Sequence, residues 1–324
     1  MSSGEDDLIA RYFRPVATAP GALGLVDDAA VLQGQGDDLV VTTDAIVEGV
    51  HFLKEDPPDT VARKALRVNL SDLAAKGAAP AGFVLTLALR EVRETWLAPF
   101  AAALGEDAAQ FGCPLLGGDT VSTPGPLMIS ITAFGRVPSG TMVRRDGAKP
   151  GDHLVVTGTI GDAALGLDVL KGGAPAPGSD TRARDILVSR YRVPQPRVAL
   201  AQTVREHASA AMDVSDGLMG DLAKLCAASG VSAVVNAGAL PLSAPARALL
   251  AERRIGLEAL VSGGDDYEIL CSIPENRLGS FTDAAARAGV PAAVIGTIEA
   301  GASRPRLFDG TREISLSRLS YSHF

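Results

Sequence analysis

The fold prediction rests on the stretch Met212-Asp213-Val214-Ser215-Asp216-Gly217-Leu218, in which two carboxylates flank a serine and a glycine follows. The apolar residues 210–212 have the character of a buried strand end, and Leu218, Leu222 and Leu225 follow at helical spacing. We therefore expect free backbone N–H groups that suit phosphate where the helix begins. Because two acids repel phosphate unless cations intervene, the stretch predicts a site for Mg²⁺ and a nucleotide. The alternative is an ordinary Asp or Ser helix cap.

The same pattern, an acid at the end of an apolar run or beside glycine, recurs along the chain. Its members are Asp27, Asp28, Asp44, Asp72, Asp119, Asp213, Asp216, Asp265 and Asp266. Each has a local alternative as a turn residue, a solvated helix residue or a helix cap. Because they flank buried segments, we expect them to converge, and converging acids need cations. Oxygen ligands favour a hard cation such as Mg²⁺ or Mn²⁺.

Composition narrows the class of protein. The chain has 324 residues, enough for two domains, and its 47% hydrophobic and 21% charged residues are ordinary for a globular protein. A net charge of −8 and the lack of a basic run argue against a nucleic-acid partner. They do not argue against a nucleotide held through metal ions. Cys113, Cys226 and Cys271 form no CxxC pair and are expected to be buried free thiols.

Several classes of protein are disfavoured by missing motifs. The chain has no Gly-Lys-Ser/Thr P-loop, no kinase HRD or DFG motif and no GxSxG nucleophile elbow. Gly158 to Gly161 only weakly resembles a dinucleotide fingerprint, and the four histidines form no zinc motif. No signal peptide is visible, and no apolar run approaches the roughly 18 residues of a membrane helix. We therefore expect a cytoplasmic protein with no membrane partner.

Strand and helix patterns alternate in both halves and predict an α/β (α+β) fold. The polar, turn-rich residues 144–152 separate the halves, so we place one domain at residues 1–150 and a second at 151–324. Helices are predicted at 8–14, 57–77 (with Asp59 as cap), 94–112, 182–191, 196–208, 244–253 and 275–288. Strands are predicted at 38–44, 82–89, 127–137, 153–157, 210–212, 232–236, 269–273 and 292–298, with a hairpin turn at Asp309-Gly310 and a surface loop at 172–180.

Seven motifs, in their order along the chain, resemble those of the thiamine-monophosphate kinase family. They are VTTD (41–44), NLSDLAAKGA (69–78), GGDT (117–120), GAKPGD (147–152), VTGTIGD (156–162), DVSDG (213–217) and SGGDDYE (262–268). LIARYF (8–13) and the ending His323-Phe324 are also similar to that family. Several motifs are shared with a wider superfamily that includes aminoimidazole ribonucleotide synthase, selenophosphate synthetase and a hydrogenase-maturation dehydratase.

The resemblance implies a two-domain PurM-like fold. Its N-terminal domain would bind ATP and Mg²⁺ and pair its sheet across a homodimer, and its C-terminal domain would be α/β. The implied reaction transfers the γ-phosphoryl group of ATP to thiamine monophosphate, giving thiamine diphosphate. The acceptor is a phosphate monoester with a second pKa of about 6, so at neutral pH it is mostly a dianion and needs no general base. We therefore expect direct in-line transfer assisted by several Mg²⁺ ions and by Arg145.

The resemblance also implies the residues of the site. Those implied for Mg²⁺ are Asp28, Thr42, Thr43, Asp44, Asp72, Asp119, Asp213 and Asp216. Those implied for ATP are Gly118, Asp119, Arg145 and Ser215, and those for the substrate are His51, Asp265 and Tyr321. Asp72, Asp119, Asp213 and Arg145 are expected to carry catalysis. His51 has an alternative as an ordinary surface residue.

Two positions depart from the family pattern, and two other functions remain open. Val26 stands where the family usually has a second glycine before Asp27-Asp28, and Asp265 stands where it usually has glutamate. The first alternative function is another ATP-using enzyme of the superfamily, such as an aminoimidazole ribonucleotide synthase. The second is a non-catalytic nucleotide-binding module.

Overall fold

The computed structural model describes residue 10 and residues 14–34, 36–173 and 181–321. Most of LIARYF, the ending His323-Phe324 and most of the predicted loop 172–180 lie outside these residues. In the first half, the elements are β1 (Ala30–Leu32), β2 (Asp37–Val47), α1 (Pro58–Ala75), β3 (Ala79–Leu89), α2 (Glu94–Gln110), β4 (Leu115–Ser122) and β5 (Met128–Pro138). Short 3₁₀ turns at Arg14–Val16 and Pro20–Leu25 precede them.

The first sheet has five strands in the order β1-β2-β5-β3-β4. Strands β2, β5 and β3 pair antiparallel, and β4 runs parallel to β3 at the edge. Alternate residues such as Val40, Ile46, Ile129 and Ile131 join a core with α1 and α2. Because side chains alternate along a strand, the residues between them point to the opposite face of the sheet.

The second half has a larger sheet that is covered on both sides. Its elements are β6 (His153–Thr157), α3 (Asp162–Leu170), α4 (Thr181–Arg192), α5 (Ala201–His207), β7 (Ala210–Asp213), α6 (Leu218–Ser229), β8 (Val231–Asn236), α7 (Ala244–Ala251), α8 (Leu257–Val261), β9 (Ile269–Ile273), α9 (Glu275–Arg287), β10 (Ala292–Ala300), β11 (Arg306–Asp309) and β12 (Arg312–Ile314). The strand order is β12-β11-β8-β10-β6-β9-β7. All neighbours are antiparallel except β11 and β8.

Helix α1 lies between the two sheets. Its Leu66, Leu70 and Leu73 belong to the core of the first half, whereas Ala74 and Ala75 pack in a cluster with strands of the second sheet. Thirteen of its eighteen residues are buried, so its polar side chains cannot all face water and must find partners inside the protein. This position makes α1 the element that joins the two halves.

The mixture of strands and helices agrees with the predicted α/β (α+β) class, but several details differ. The GGDT segment forms strand β4 and does not cap a helix. Asp59 is not the cap of α1, because the helix begins at Pro58 with Pro57 before it, and no side chain caps it. Helix α3 was not predicted; its Gly166 lets it approach α4 so closely that a Cβ there would lie 2.1 Å from the carbonyl oxygen of Leu187.

The cysteines and the helices can each be compared with what the sequence predicts. The three cysteines are buried free thiols, as predicted. Burial raises the pKa of Cys113 to about 11, which makes its thiol unreactive at neutral pH. Within the described part of the chain, the helices are too short or too polar to cross a membrane.

Candidate active site

The site begins with polar side chains that link α1 to strand β2. The side-chain amide oxygen of Asn69 accepts the backbone N–H of Asp44 at 3.1 Å, and its amino group donates to the carbonyl of Ala65. One turn along α1, Asp72 accepts the hydroxyl of Thr42 at 2.5 Å. The alternation of β2 and the pitch of α1 thus bring Thr42, Asp44 and Asp72 together.

Five acids, which we name the acid cluster, meet at this point: Asp28, Asp44, Asp72, Asp213 and Asp216. Carboxylate oxygens of Asp28, Asp72 and Asp213 lie within 4.8 Å of one another. Asp213 reaches the cluster as the last residue of β7, and Asp216 follows in the turn before α6. The structure therefore brings together acids from four separate parts of the sequence.

Three acids of the cluster have raised pKa values, because they are buried next to other carboxylates with too little positive charge nearby to compensate. Burial, and then the neighbouring Asp213, Asp44 and Asp28, raise the pKa of Asp72 well above its usual value. The pKa of Asp213 is raised in the same way, and burial with Asp28 and Asp216 raises that of Asp44 to about 6. Three or more close carboxylate oxygens form the donor set that a hard divalent cation prefers. The residues present therefore fit Mg²⁺.

Two acids of the cluster do contact cations: Lys224 pairs with Asp216 at 2.6 Å, and both Lys76 and Arg145 pair with Asp28. Burial alone would raise the pKa of Asp28, but Arg145 and Lys76 outweigh burial and lower it. Lys76 also donates to Asp27 at 2.8 Å and to the carbonyl of Ala211 at 2.7 Å. Arg145 lies in the turn that connects the halves and donates its backbone N–H to Asp27. Its guanidinium is thus held directly against the acid cluster.

The turn after β7 corrects one prediction. The backbone N–H groups of Ser215, Asp216 and Gly217 are not free for phosphate, because all three donate to Oδ2 of Asp221 at 2.9–3.1 Å. Asp221 lies in the first turn of α6 and is buried. A carboxylate of the protein therefore occupies the anion-binding position that the sequence suggested for a ligand.

A cavity of about 720 Å³ extends from the acid cluster. Its lining includes Asp44, Ser215 and Asp216, and also His51, Asp265 and Tyr321, three residues that we together name the substrate end. The backbone N–H of Tyr321 donates to the carbonyl of Asp216 at 2.9 Å, so the two groups of residues adjoin. Residues implied for metal, nucleotide and substrate thus share one cavity, with walls from both halves of the chain.

Two loops of the second half are joined beneath this cavity. The backbone N–H of Asp265 donates to the carbonyl of Ser215 at 2.7 Å, and that of Tyr267 donates to Val214 at 2.8 Å. A Cβ on Gly264 would lie 2.6 Å from the carbonyl oxygen of Ser215, so this contact needs glycine. The backbone hydrogen bonds therefore set the position of Asp265 relative to the turn that carries Asp216.

The two acids of the SGGDDYE motif have different surroundings. Asp265 lines the cavity with a left-handed backbone, φ 72°, which is uncommon for a residue other than glycine. Asp266 is fully buried, and both its oxygens accept the N–H of Gly161 at 2.8–3.0 Å. Burial raises the pKa of Asp266 well above its usual value. Of the two, only Asp265 is placed to contact a ligand.

Three implied residues are not brought to the acid cluster. The hydroxyl of Thr43 bonds Thr132 and the carbonyl of Ile131, on the face of the sheet opposite Thr42 and Asp44. Gly118 and Asp119 lie on the exposed edge strand β4. The strand order places Asp119 three strands from β2, or about 14 Å away. Within one subunit, Asp119 does not approach Asp44.

Sequence reasoning missed three buried polar residues of the site: Lys64, Lys76 and Asp221. Lys64 and Asp221 lie in helices and Lys76 directly follows the last residue of α1, and a charged residue at such positions is normally read as solvent-facing. The signal that could have identified the lysines is their place in or next to α1, whose pattern leaves little room for an exposed face. Val26 causes no strain, because its φ is −119° and the left-handed positions nearby are Leu23, Gly24 and Leu25.

Comparisons with known proteins agree with the resemblance. Residues 26–137 match the family described as AIR synthase related protein, N-terminal domain, and residues 149–306 match the corresponding C-terminal domain. A thiamine-monophosphate kinase of Caulobacter vibrioides is 47% identical over 98% of this chain and 90% of its own length. The predicted two-domain PurM-like fold is confirmed by these matches and by similar solved structures.

Two solved structures share the fold over nearly the whole chain. The thiamine-monophosphate kinase of Stenotrophomonas maltophilia K279a has a TM-score of 0.77 and 38% identity, covering 95% of this chain and 97% of that one. AaThiL complexed with AMPPCP and TMP has a TM-score of 0.85 and 28% identity, covering 99% and 96%. By sequence and by structure, the chain belongs to the thiamine-monophosphate kinase family.

Proposed function

We propose that this protein transfers the γ-phosphoryl group of ATP to thiamine monophosphate, forming thiamine diphosphate. The observation that carries the proposal is the single cavity lined both by Asp44 and Asp216 of the acid cluster and by His51, Asp265 and Tyr321. A relative that shares the fold binds AMPPCP and TMP together. One continuous cavity gives a nucleotide and a phosphorylated acceptor room to lie side by side, as phosphoryl transfer requires.

The chemistry asks the protein to position charges and does not ask it for a base. The terminal phosphate of the acceptor is mostly dianionic at neutral pH and can attack directly. The two ligands are polyanions that repel each other, so the site must neutralise charge and hold them in line. Arg145 is suited to this role, because it is fixed between the halves by Asp27 and Ser229 and faces the cluster. We therefore propose direct in-line transfer.

We propose that the acid cluster, with Thr42, holds several Mg²⁺ ions. The donor atoms are carboxylate and hydroxyl oxygens, and the raised pKa values of Asp44, Asp72 and Asp213 reflect charge that cations would compensate. Bound Mg²⁺ would supply charge neutralisation for the phosphates in the transition state. Thr43 could contribute only through its backbone, because its hydroxyl lies on the other face of the sheet.

The function is tested by incubating the purified protein with ATP, Mg²⁺ and a panel of phosphorylated acceptors, with the products resolved by mass. We expect thiamine diphosphate and ADP from thiamine monophosphate, and no product from unrelated phosphate esters. Turnover of an aminoimidazole precursor would favour the alternative enzyme of the superfamily. ATP binding without any product would favour a non-catalytic module.

We also propose a homodimer in which the partner supplies Gly118 and Asp119. Strands β2, β5 and β3 lie side by side in one sheet, and the face of this sheet opposite the helices carries Thr43 and Thr132. Strand β4 is exposed along its length, with Leu115, Leu116 and Val121 among its exposed apolar residues. An exposed apolar edge strand favours pairing with another chain. A second subunit would bring a distant Asp119 to an acid cluster.

Mixed dimers test this arrangement. Asp213→Asn and Asp119→Asn chains should each be nearly inactive, but an equal mixture should recover about a quarter of wild-type activity, because half the dimers then carry one intact site. Light scattering at micromolar concentration should give the mass of a dimer. A monomeric mass, or a mixture that stays inactive after verified subunit exchange, would contradict the proposal.

We further propose that the domain boundary lies near residue 150 and that the enzyme acts in the cytoplasm.

A further inference from the structure

A lysine outside the implied ligand set lies behind the substrate end. Lys64 of α1 is 1% exposed. Its ammonium group donates to Oδ2 of Asp265 at 3.1 Å and to the backbone carbonyl of His51 at 2.8 Å. One buried cation therefore contacts two of the three residues that form the substrate end, one from each half of the chain.

Tyr191 completes the surroundings of this cation. The ammonium nitrogen lies 4.0 Å from the centre of the Tyr191 ring, a favourable cation–π geometry. The Tyr191 hydroxyl donates to the same His51 carbonyl at 3.3 Å. A buried ammonium group is costly unless it is paired, and here the pairing is made by the residues that line the cavity. The arrangement holds both His51 and Asp265 in place through a group that does not itself line the cavity.

The geometry points to Lys64 as a positioning residue for the acceptor, an inference that rests on the proposed function. By binding Oδ2, Lys64 limits the rotation of the Asp265 carboxylate and leaves Oδ1 as the oxygen available to a ligand in the cavity. By binding the His51 carbonyl, it also fixes the backbone of the first half next to Asp265. Lys64 does not line the cavity itself, so it acts through Asp265 and His51.

The test separates positioning from general stability. In Lys64→Met, the stem and its packing on Tyr191 are kept but the charge is lost. We expect the KM for thiamine monophosphate to rise about tenfold, the scale of a lost charge-assisted contact. The KM for ATP and kcat should change less than about twofold. Lys64→Arg should recover part of the loss, because it restores a donor to Asp265.

The matched control is Arg67→Met, one turn further along the same helix. Arg67 is also a buried cation, 5% exposed, but its partners are Asp107 and the carbonyl of Pro194, away from the cavity. Arg67→Met should lower the melting temperature while leaving the KM for thiamine monophosphate unchanged. Equal effects of both substitutions on this KM would overturn the inference.

A double-mutant cycle provides the second measurement. Asp265→Asn should raise the KM for thiamine monophosphate in the wild-type background, but should add less than about twofold in Lys64→Met, because the two residues act as one unit. If Lys64→Met alone fails to fold, Lys64→Met/Asp265→Asn should fold better, since it leaves no unpaired charge. The positioning role of Lys64 would be contradicted if the effects of the two substitutions on this KM multiplied in the double variant. It would also be contradicted if Lys64→Met left this KM unchanged. A wild-type protein inactive on thiamine monophosphate would instead contradict the proposed function.

Discussion

Two groups of acids lie inside this protein, and they differ in their partners. Asp107 is fully buried and is bound by Arg63 and Arg67. Glu268 is likewise fully buried and is bound by Arg190 and Arg197, with the hydroxyl of Thr157 as a further donor. By contrast, no ion pair in the described part of the chain includes Asp72 or Asp213 of the acid cluster.

Under the proposed function, this difference separates acids with a structural role from acids that would bind metal. A buried carboxylate with matched arginines is compensated inside the fold. Asp72 and Asp213 have no such partners among the described residues, and their pKa values are raised first by burial and then by the neighbouring carboxylates. Asp28 stands between the groups, since Arg145 and Lys76 lower its pKa. Uncompensated buried charge is therefore the physical mark of the site.

The largest expected effect comes from removing one uncompensated charge. Asp72→Asn and Asp213→Asn should each lower kcat by about two orders of magnitude or more, because each removes an anionic metal ligand. Without metal, the melting temperature should stay the same or rise, since repulsion within the cluster decreases. Steady-state kinetics and thermal melting in chelator measure both quantities. Near-normal turnover in either variant would make that acid a structural residue.

The opposite result is expected for a compensated acid. Asp107→Asn leaves Arg63 and Arg67 without their carboxylate, and breaking such a buried pair costs about 3–5 kcal/mol of folding free energy. The kcat measured well below the melting temperature should change little, because Asp107 is remote from the cavity. Denaturant unfolding provides the free energy. A stable Asp107→Asn protein with impaired turnover would remove the distinction between the two groups of acids.

A smaller effect should be visible in the pH dependence of stability. The folded-state pKa of Asp44 is raised to about 6 from a usual value of 3.8, so between these values the folded state holds more protons than the unfolded state. Metal-free stability should therefore fall as pH rises from about 4 to about 6. Thermal melting in chelator should show this slope in wild type and a shallower one in Asp44→Asn. Identical slopes in the two proteins would show that the negative charge of Asp44 is compensated within the folded protein.

Part of the site could be predicted from the sequence alone, because some of its residues are marked by their immediate neighbours in the chain. Asp72 and Asp213 could be predicted because each acid adjoins an apolar segment that must be buried. Strand parity could also have separated Thr43 from Thr42 and Asp44, since neighbouring residues of a strand point to opposite faces. These features depend only on local periodicity.

The remaining features depend on contacts between distant segments. The N–H groups of residues 215–217 look free in sequence, and only the fold of the first turn of α6 shows that Asp221 accepts them. Lys64 and Lys76 look like surface lysines until α1 is placed between two sheets. The distance of Asp119 from the acid cluster follows from the order of strands in the sheet, which the amino-acid sequence alone does not specify.

The most direct test of the account is the effect of Mg²⁺ on thermal stability, measured without nucleotide at neutral pH. We expect millimolar Mg²⁺ to raise the melting temperature of the wild-type protein and of Asp107→Asn by similar amounts. The increase should be much smaller in Asp213→Asn, which lacks one ligand of the acid cluster. A wild-type protein that does not respond to Mg²⁺, or an Asp213→Asn protein that responds as strongly as wild type, would contradict the claim that the acid cluster is the metal site.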